Sequence, residues 1–187
     1  MSPSRRNASA PLAEPLADHR SAADSFLQAG RAVPEPAWTR PVAPGKWSPA
    51  QVAEHVRLSF EVLTRELVEG TGMRVVVPPW KGFLLRRVYL RRILRTGRFP
   101  RNIRAPREAR PVAPPAPQSE ALRLVEAAAA DFEAACAGVA DPRSRRLTHP
   151  YFGRLPLPLA CRFLARHTRH HQDQLAPRAP HAAATLR

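Results

Sequence analysis

Several things are scarce in this 187-residue chain, and each scarcity closes off a class of answer. There are two cysteines, Cys136 and Cys161, and no C-x-x-C pair, so neither a cysteine zinc site nor a thioredoxin-like motif is on offer. Each cysteine falls on an apolar helical stripe, which reads as a small core residue in a reducing compartment, not half of a disulfide. No apolar run approaches the ~18 residues of a membrane span. The N-terminus, MSPSRRNASAPLAEP, carries charge without a following apolar region, so it does not read as a secretory signal. The address expected on these grounds is cytoplasmic. Glycines number only 8, none in a phosphate-binding loop, and no internal repeat appears.

Lysine is also rare. Lys46 and Lys81 are the only two, although the formal charge is +15 and the pI about 11.6. Such a charge invites a nucleic-acid reading. But an all-arginine bias amid abundant alanine and proline is what a GC-rich coding sequence produces whatever the function. The arginines are spread along the chain instead of being gathered into a block with interleaved aromatics. A nucleic-acid partner is therefore not expected.

What is present is helical periodicity. From Leu12 to about Val33, Leu16, Ala23, Phe26 and Leu27 share a face, and His19 falls on the same side. His19 reads either as an extra ligand or acid/base group, or as a helix-end histidine touching solvent; the second is preferred. The four prolines of Pro34 to Pro44 predict a loop. Ser48, Pro49 and Gln51 then form a capping-box signature for a helix running to about Glu69, ended by Gly70 and Gly72. Val52, Val56, Leu63 and Leu67 make its core line, with His55 on the edge of that line. Residues 71–118 are irregular and basic, with one short helix expected over Lys81 to Thr96. This segment reads first as a solvated basic cover for one end of the fold, second as a contact for an anionic substrate, with a membrane-surface or nucleic-acid patch as further options. Ser119 to Gly138 is another helix, capped by Ser119, with Leu122, Val125, Ala129, Phe132, Cys136 and Val139 as its seam. The stretch DPRSRRLTHPYFGRLP, residues 141–156, reads as a loop.

Leu157 to Leu175 forms the last helix. Leu157, Ala160, Cys161 and Leu164 recur at helical spacing, and His167, His171 and Gln174 continue that inward line. Two imidazoles four residues apart lie one above the other and can converge on one metal ion. His55, on a neighbouring helix, is the natural third ligand. Leaving three inward imidazoles without partners would cost on the order of a few kcal/mol each. A set of three histidines leaves a coordination position open for water or substrate, as catalytic sites do. His170 could pair with His167 at i, i+3 but is assigned to the surface or to a hydrogen bond behind a ligand. Gln174 reads equally well as a contact to the site or as a helix-end amide in solvent. His149 is assigned to shaping the turn at HPYFG, and Glu54 points away from the core line.

Taken together, the order of elements predicts an all-α chain: an antiparallel four-helix bundle over residues 12–175, with the basic insertion of 71–118 between its second and third helices. Residues 1–11 are expected to be a disordered tail and residues 176–187 a flexible one.

Three segments, WSPAQVAEHV (Trp47 to Val56), HPYFGRLPL (His149 to Leu157) and HTRHHQDQL (His167 to Leu175), resemble the DinB-like superfamily. The likeness is in particular to its DinB/YfiT-type metal-dependent hydrolases and thiol S-transferases. The resemblance implies a four-helix bundle in which one histidine of the second helix joins an H-x-x-x-H pair of the last. It thus implies that His55, His167 and His171 bind a divalent cation, commonly zinc or nickel. The implied function is metal-dependent transfer or hydrolysis on a small-molecule substrate, with a low-molecular-weight thiol as a cosubstrate by analogy alone. Bundles of this kind often pair, so a homodimer is an expectation too. The alternatives are a non-catalytic metal-binding stress-response bundle and, further behind, a basic nucleic-acid-binding protein.

Overall fold

The computed structural model describes residues 10–100, 103–112 and 114–175, so the tails expected at 1–11 and 176–187 fall outside the described residues except for residues 10–11, which begin a helix. The chain is mostly helical. The long helices are α1 (Ala10–Arg31), α3 (Pro49–Glu69), α6 (Gln118–Ala137) and α7 (Leu157–Leu175), and α7 has the bounds that its periodicity predicts. The closest partnerships are α1 with α7 and α3 with α6. α1 also lies against α6, and α3 meets α7 more sparingly.

Each helix begins and packs for reasons visible in its residues. At the start of α3, the Gln51 amide donates to Ser48 Oγ at 3.3 Å and Ser48 N–H donates to Gln51 Oε1 at 3.0 Å, completing the capping box. Pro49 takes the first helical position, where its missing N–H costs nothing. Gly70 ends α3 in the left-handed conformation at φ 78°, a conformation glycine adopts without a Cβ penalty. The inward faces of the long helices meet in one core that contains Phe26, Val52, Phe60, Phe132, Leu157 and Leu164.

Three local expectations need correction. The proline-rich stretch after α1 contains a short helix, α2 (Glu35–Trp38), because Pro34 and Pro36 fall at its very start, where proline is tolerated. It buries Trp38, whose Nε1–H donates to Ala116 O at 3.0 Å. Ser119 does not cap α6. The helix starts one residue earlier, and Gln118 instead donates to the carbonyls of Gly30 and Val33 at the end of α1. The stretch before α7 is not all loop: Arg146–His149 (β1) and Gly153–Pro156 (β2) pair as an antiparallel hairpin, with Leu147 opposite Leu155. Strands of four residues give too little alternation to stand out from the surrounding prolines and arginines.

The insertion carries one helical run, α4 (Pro79–Leu85), a π-helical turn at Arg86–Leu90 and α5 (Arg91–Thr96), where one helix was expected from Lys81 to Thr96. It buries Gly82, Leu90 and Ile93 and exposes most of its arginines. A 3₁₀ turn at Arg107–Ala109 then returns the chain to α3. No described helix is long and apolar enough to cross a membrane.

Candidate metal centre

Helical spacing on α7 brings His167 and His171 together, and the contact of α3 with α7 adds His55. The three ring nitrogens meet closely: His55 Nε2 and His171 Nε2 lie 3.2 and 3.1 Å from His167 Nε2. One ligand atom from each residue falls within 4.8 Å of the others, so the group could hold a metal ion.

The far side of two rings decides where their protons sit. His55 Nδ1 lies 2.6 Å from the carbonyl of Ala109 and His171 Nδ1 lies 2.9 Å from Gln174 Oε1. Both acceptors lack a proton, so both Nδ1 atoms must donate, and each neutral ring then carries a lone pair on Nε2. His167 Nε2 therefore faces two lone pairs and can donate to one of them at most. A proton cannot satisfy this arrangement; a cation among the three nitrogens can. Burial pushes all three rings toward the neutral form that a metal requires. His55 is lowered to about 4 by burial, while His167 and His171 are lowered well below 6.5 by burial and then by their imidazole neighbours.

Aromatic walls hold the rings in place. Trp47 packs on His55 with centroids 5.0 Å apart and reaches His171 at 6.5 Å, while Phe163 stacks on His167 at 6.1 Å. Next to His55 and His167 opens a cavity of about 70 Å³ lined mainly by apolar side chains from α3, the hairpin and α7.

The family model for the DinB superfamily matches residues 18–175, from within α1 to the last residue of α7. The chain belongs to the DinB superfamily. No curated protein and no solved structure matches it.

Other histidines of this DinB chain take varied places. His170 is half-buried, stacked on Phe99 at 4.6 Å and 3.2 Å from Gln174 Nε2. Gln174 thus bridges two histidines and is not a solvent-facing amide. Glu54 pairs with Arg57 at 2.8 Å, away from the centre. His19 is not at a solvent-touching helix end. It is fully buried in the middle of α1, edge-on to Phe60 and Phe132, and neither ring nitrogen makes a well-formed hydrogen bond among the described residues, although the backbone of Ala129 lies close enough to act on the ring. The spacing of His19, Ala22, Ala23 and Phe26 explains this, since it is the spacing of an inward stripe.

Two contributors stand outside the motifs that the sequence displays. The Ala109 carbonyl that orients His55 is a backbone atom in the insertion, so no residue type announces it. Phe99, stacked on His170, comes from the same insertion.

Proposed function

We propose that this DinB member is an antiparallel four-helix bundle that binds one divalent cation through Nε2 of His55, His167 and His171 and serves transfer or hydrolysis of a small molecule. What carries the reading is the tautomer constraint: two rings are tied at Nδ1, which turns their Nε2 lone pairs on the third ring. Ala109 O and Gln174 Oε1 orient the ligands from behind, as the outer partners of metal-binding histidines do. When bound, a divalent ion supplies Lewis acidity and lowers the pKa of a water or thiol held there. The protein's part is to keep the imidazoles neutral and oriented, and to shield the site with Trp47, Phe99 and Phe163.

The cavity beside His55 and His167 favours a reactive centre over a closed structural one, because it gives a ligand access to two of the three residues. Zinc and nickel are the first ions to try, since imidazole suits both. A low-molecular-weight thiol enters as cosubstrate on the family likeness alone.

The test is the metal content of untagged protein beside a His167→Ala, His171→Ala double variant. Near-stoichiometric metal in the wild type and none in the variant is expected. Equal metal in both would refute the assignment.

A further inference from the structure

The cavity beside the triad has a wall chemistry that the three ligands do not use. Leu63, Leu147, Leu155, Phe163 and Leu164 make most of it apolar, and among the described residues no charged side chain lines it. Two hydroxyls reach it, and both protons are already placed: Ser59 Oγ donates to His55 O at 2.8 Å, and Thr148 Oγ1 donates to Glu66 Oε1 at 2.6 Å. That leaves His149, the last residue of β1.

The hairpin turn settles the tautomer of His149. The backbone N–H groups of Tyr151 and Phe152 both point at its Nδ1, at 3.2 and 3.3 Å. An atom that accepts two hydrogen bonds cannot carry a proton, so the neutral ring holds its proton on Nε2. Burial lowers His149 to about 3, so the ring is neutral at ordinary pH. Phe152 stacks on it at 4.4 Å and Phe163 meets it edge-on at 4.9 Å, fixing the ring plane. Nε2–H has no protein acceptor among the described residues, although a donor in apolar surroundings is costly to leave unpaired.

We propose that this cavity binds a small uncharged carbonyl compound, whose oxygen accepts from His149 Nε2–H and whose apolar part lies against the leucines of the hairpin and α7. On the side away from the ion the wall is apolar and, among the described residues, carries no charged side chain, which disfavours an ionic group there. A lone donor selects an acceptor oxygen, and the volume admits about three or four heavy atoms. The inference builds on the proposed metal centre, because His55 and His167 line the same cavity, so a carbonyl held by His149 lies beside the nitrogens assigned to the ion.

The probe is acetone, added to ¹⁵N-labelled wild type with and without zinc, with long-range ¹H–¹⁵N spectra of the histidine rings at pH 7. The His149→Gln spectrum identifies the signals. Expected are the Nε2–H tautomer for His149, a saturable acetone-dependent shift of that signal, and acetone binding weakened about tenfold or more in His149→Phe at unchanged zinc content. An Nδ1–H tautomer, no saturable shift, or affinity indifferent to His149→Phe would overturn it. Should His149→Phe not fold, the wild-type tautomer and shift decide alone. The zinc measurement is independent: acetone binding in a protein that takes up no zinc would refute the metal centre while supporting the cavity site.

Discussion

At the scale of single residues, histidine does two opposite things in this chain. At the triad each ring has something to bind or to point at. At His19 a ring is buried with no well-formed hydrogen bond among the described residues. Replacing His19 with leucine, of similar volume and no unmet polar atoms, is expected to raise stability by about 1–2 kcal/mol, read from the denaturant midpoint. The same variant bears on pH. Burial holds His19 below 6.5 and His55 down at about 4, so the unfolded chain, with ordinary histidines, takes up those protons first. Stability of metal-free protein is thus full above pH ~6.5 and falls as pH drops toward ~4, by up to about 1.4 kcal/mol per pH unit for each such ring. His19→Leu should make that acid-side slope shallower; an unchanged slope in a pH series of melts would show that His19 is not held neutral. The triad itself was legible because side-chain identity and spacing carry it. His55, His167 and His171 stand at helical registers that a sequence displays. Ala109 does not, since its contribution is a carbonyl positioned by the path of a whole insertion. His19 was misplaced for a simpler reason: a polar residue on an apolar stripe invites the reading that the stripe ends there.

At the scale of elements, the long helices announce themselves and the hairpin does not. Capping residues and inward stripes are local signals, whereas β1 and β2 depend on a distant carboxylate. Glu66, buried on α3, accepts from Thr148 N–H at 2.9 and 3.0 Å and from Thr148 Oγ1, tying the hairpin to the helix. Arg145 adds hydrogen bonds to the carbonyls of Glu66, which also accepts from Gly70 N–H, and of Leu67 at the end of α3. Gly72 lets the chain pass over this junction: a Cβ there would lie 2.3 Å from Glu66 Oε2. Glu66 can yield only by giving up its bonds to Thr148. Gly72→Ala is therefore expected to cost about 1–3 kcal/mol. Gly138→Ala, with an ordinary helical φ of −73° and no neighbour nearer than 3.5 Å, should be neutral or slightly stabilising. Thermal melts of the two variants side by side check the contrast, and equal melting temperatures would mean that the Glu66 junction contributes little.

At the scale of the whole molecule, α1 with α7 and α3 with α6 form two well-packed pairs, and the histidines sit where α3 meets α7 more sparingly. An ion held by His55 on one side and by His167 and His171 on the other would therefore tie the pairs together. Free zinc at about a hundred times its dissociation constant should add roughly 2.7 kcal/mol of stability. For a chain of this size that corresponds to a rise of about 5–10 °C in melting temperature. His167→Ala should abolish the rise while leaving the metal-free melt nearly in place. A zinc-independent melting temperature in the wild type would count against the ion bridging the two helices.

The hairpin has one more bearing on all this. β2 ends at Pro156 and α7 begins at Leu157, with no residue between them, and Leu157 N–H donates to Arg145 O at 2.9 Å. Without a flexible joint, strand and helix are laid out as a crank, the hairpin tip as handle and α7 as shaft. His149 rides near that tip and His167 and His171 ride on the shaft. Whatever settles against His149 is thereby joined, through continuous elements, to the imidazoles nearly three and four turns further along the helix.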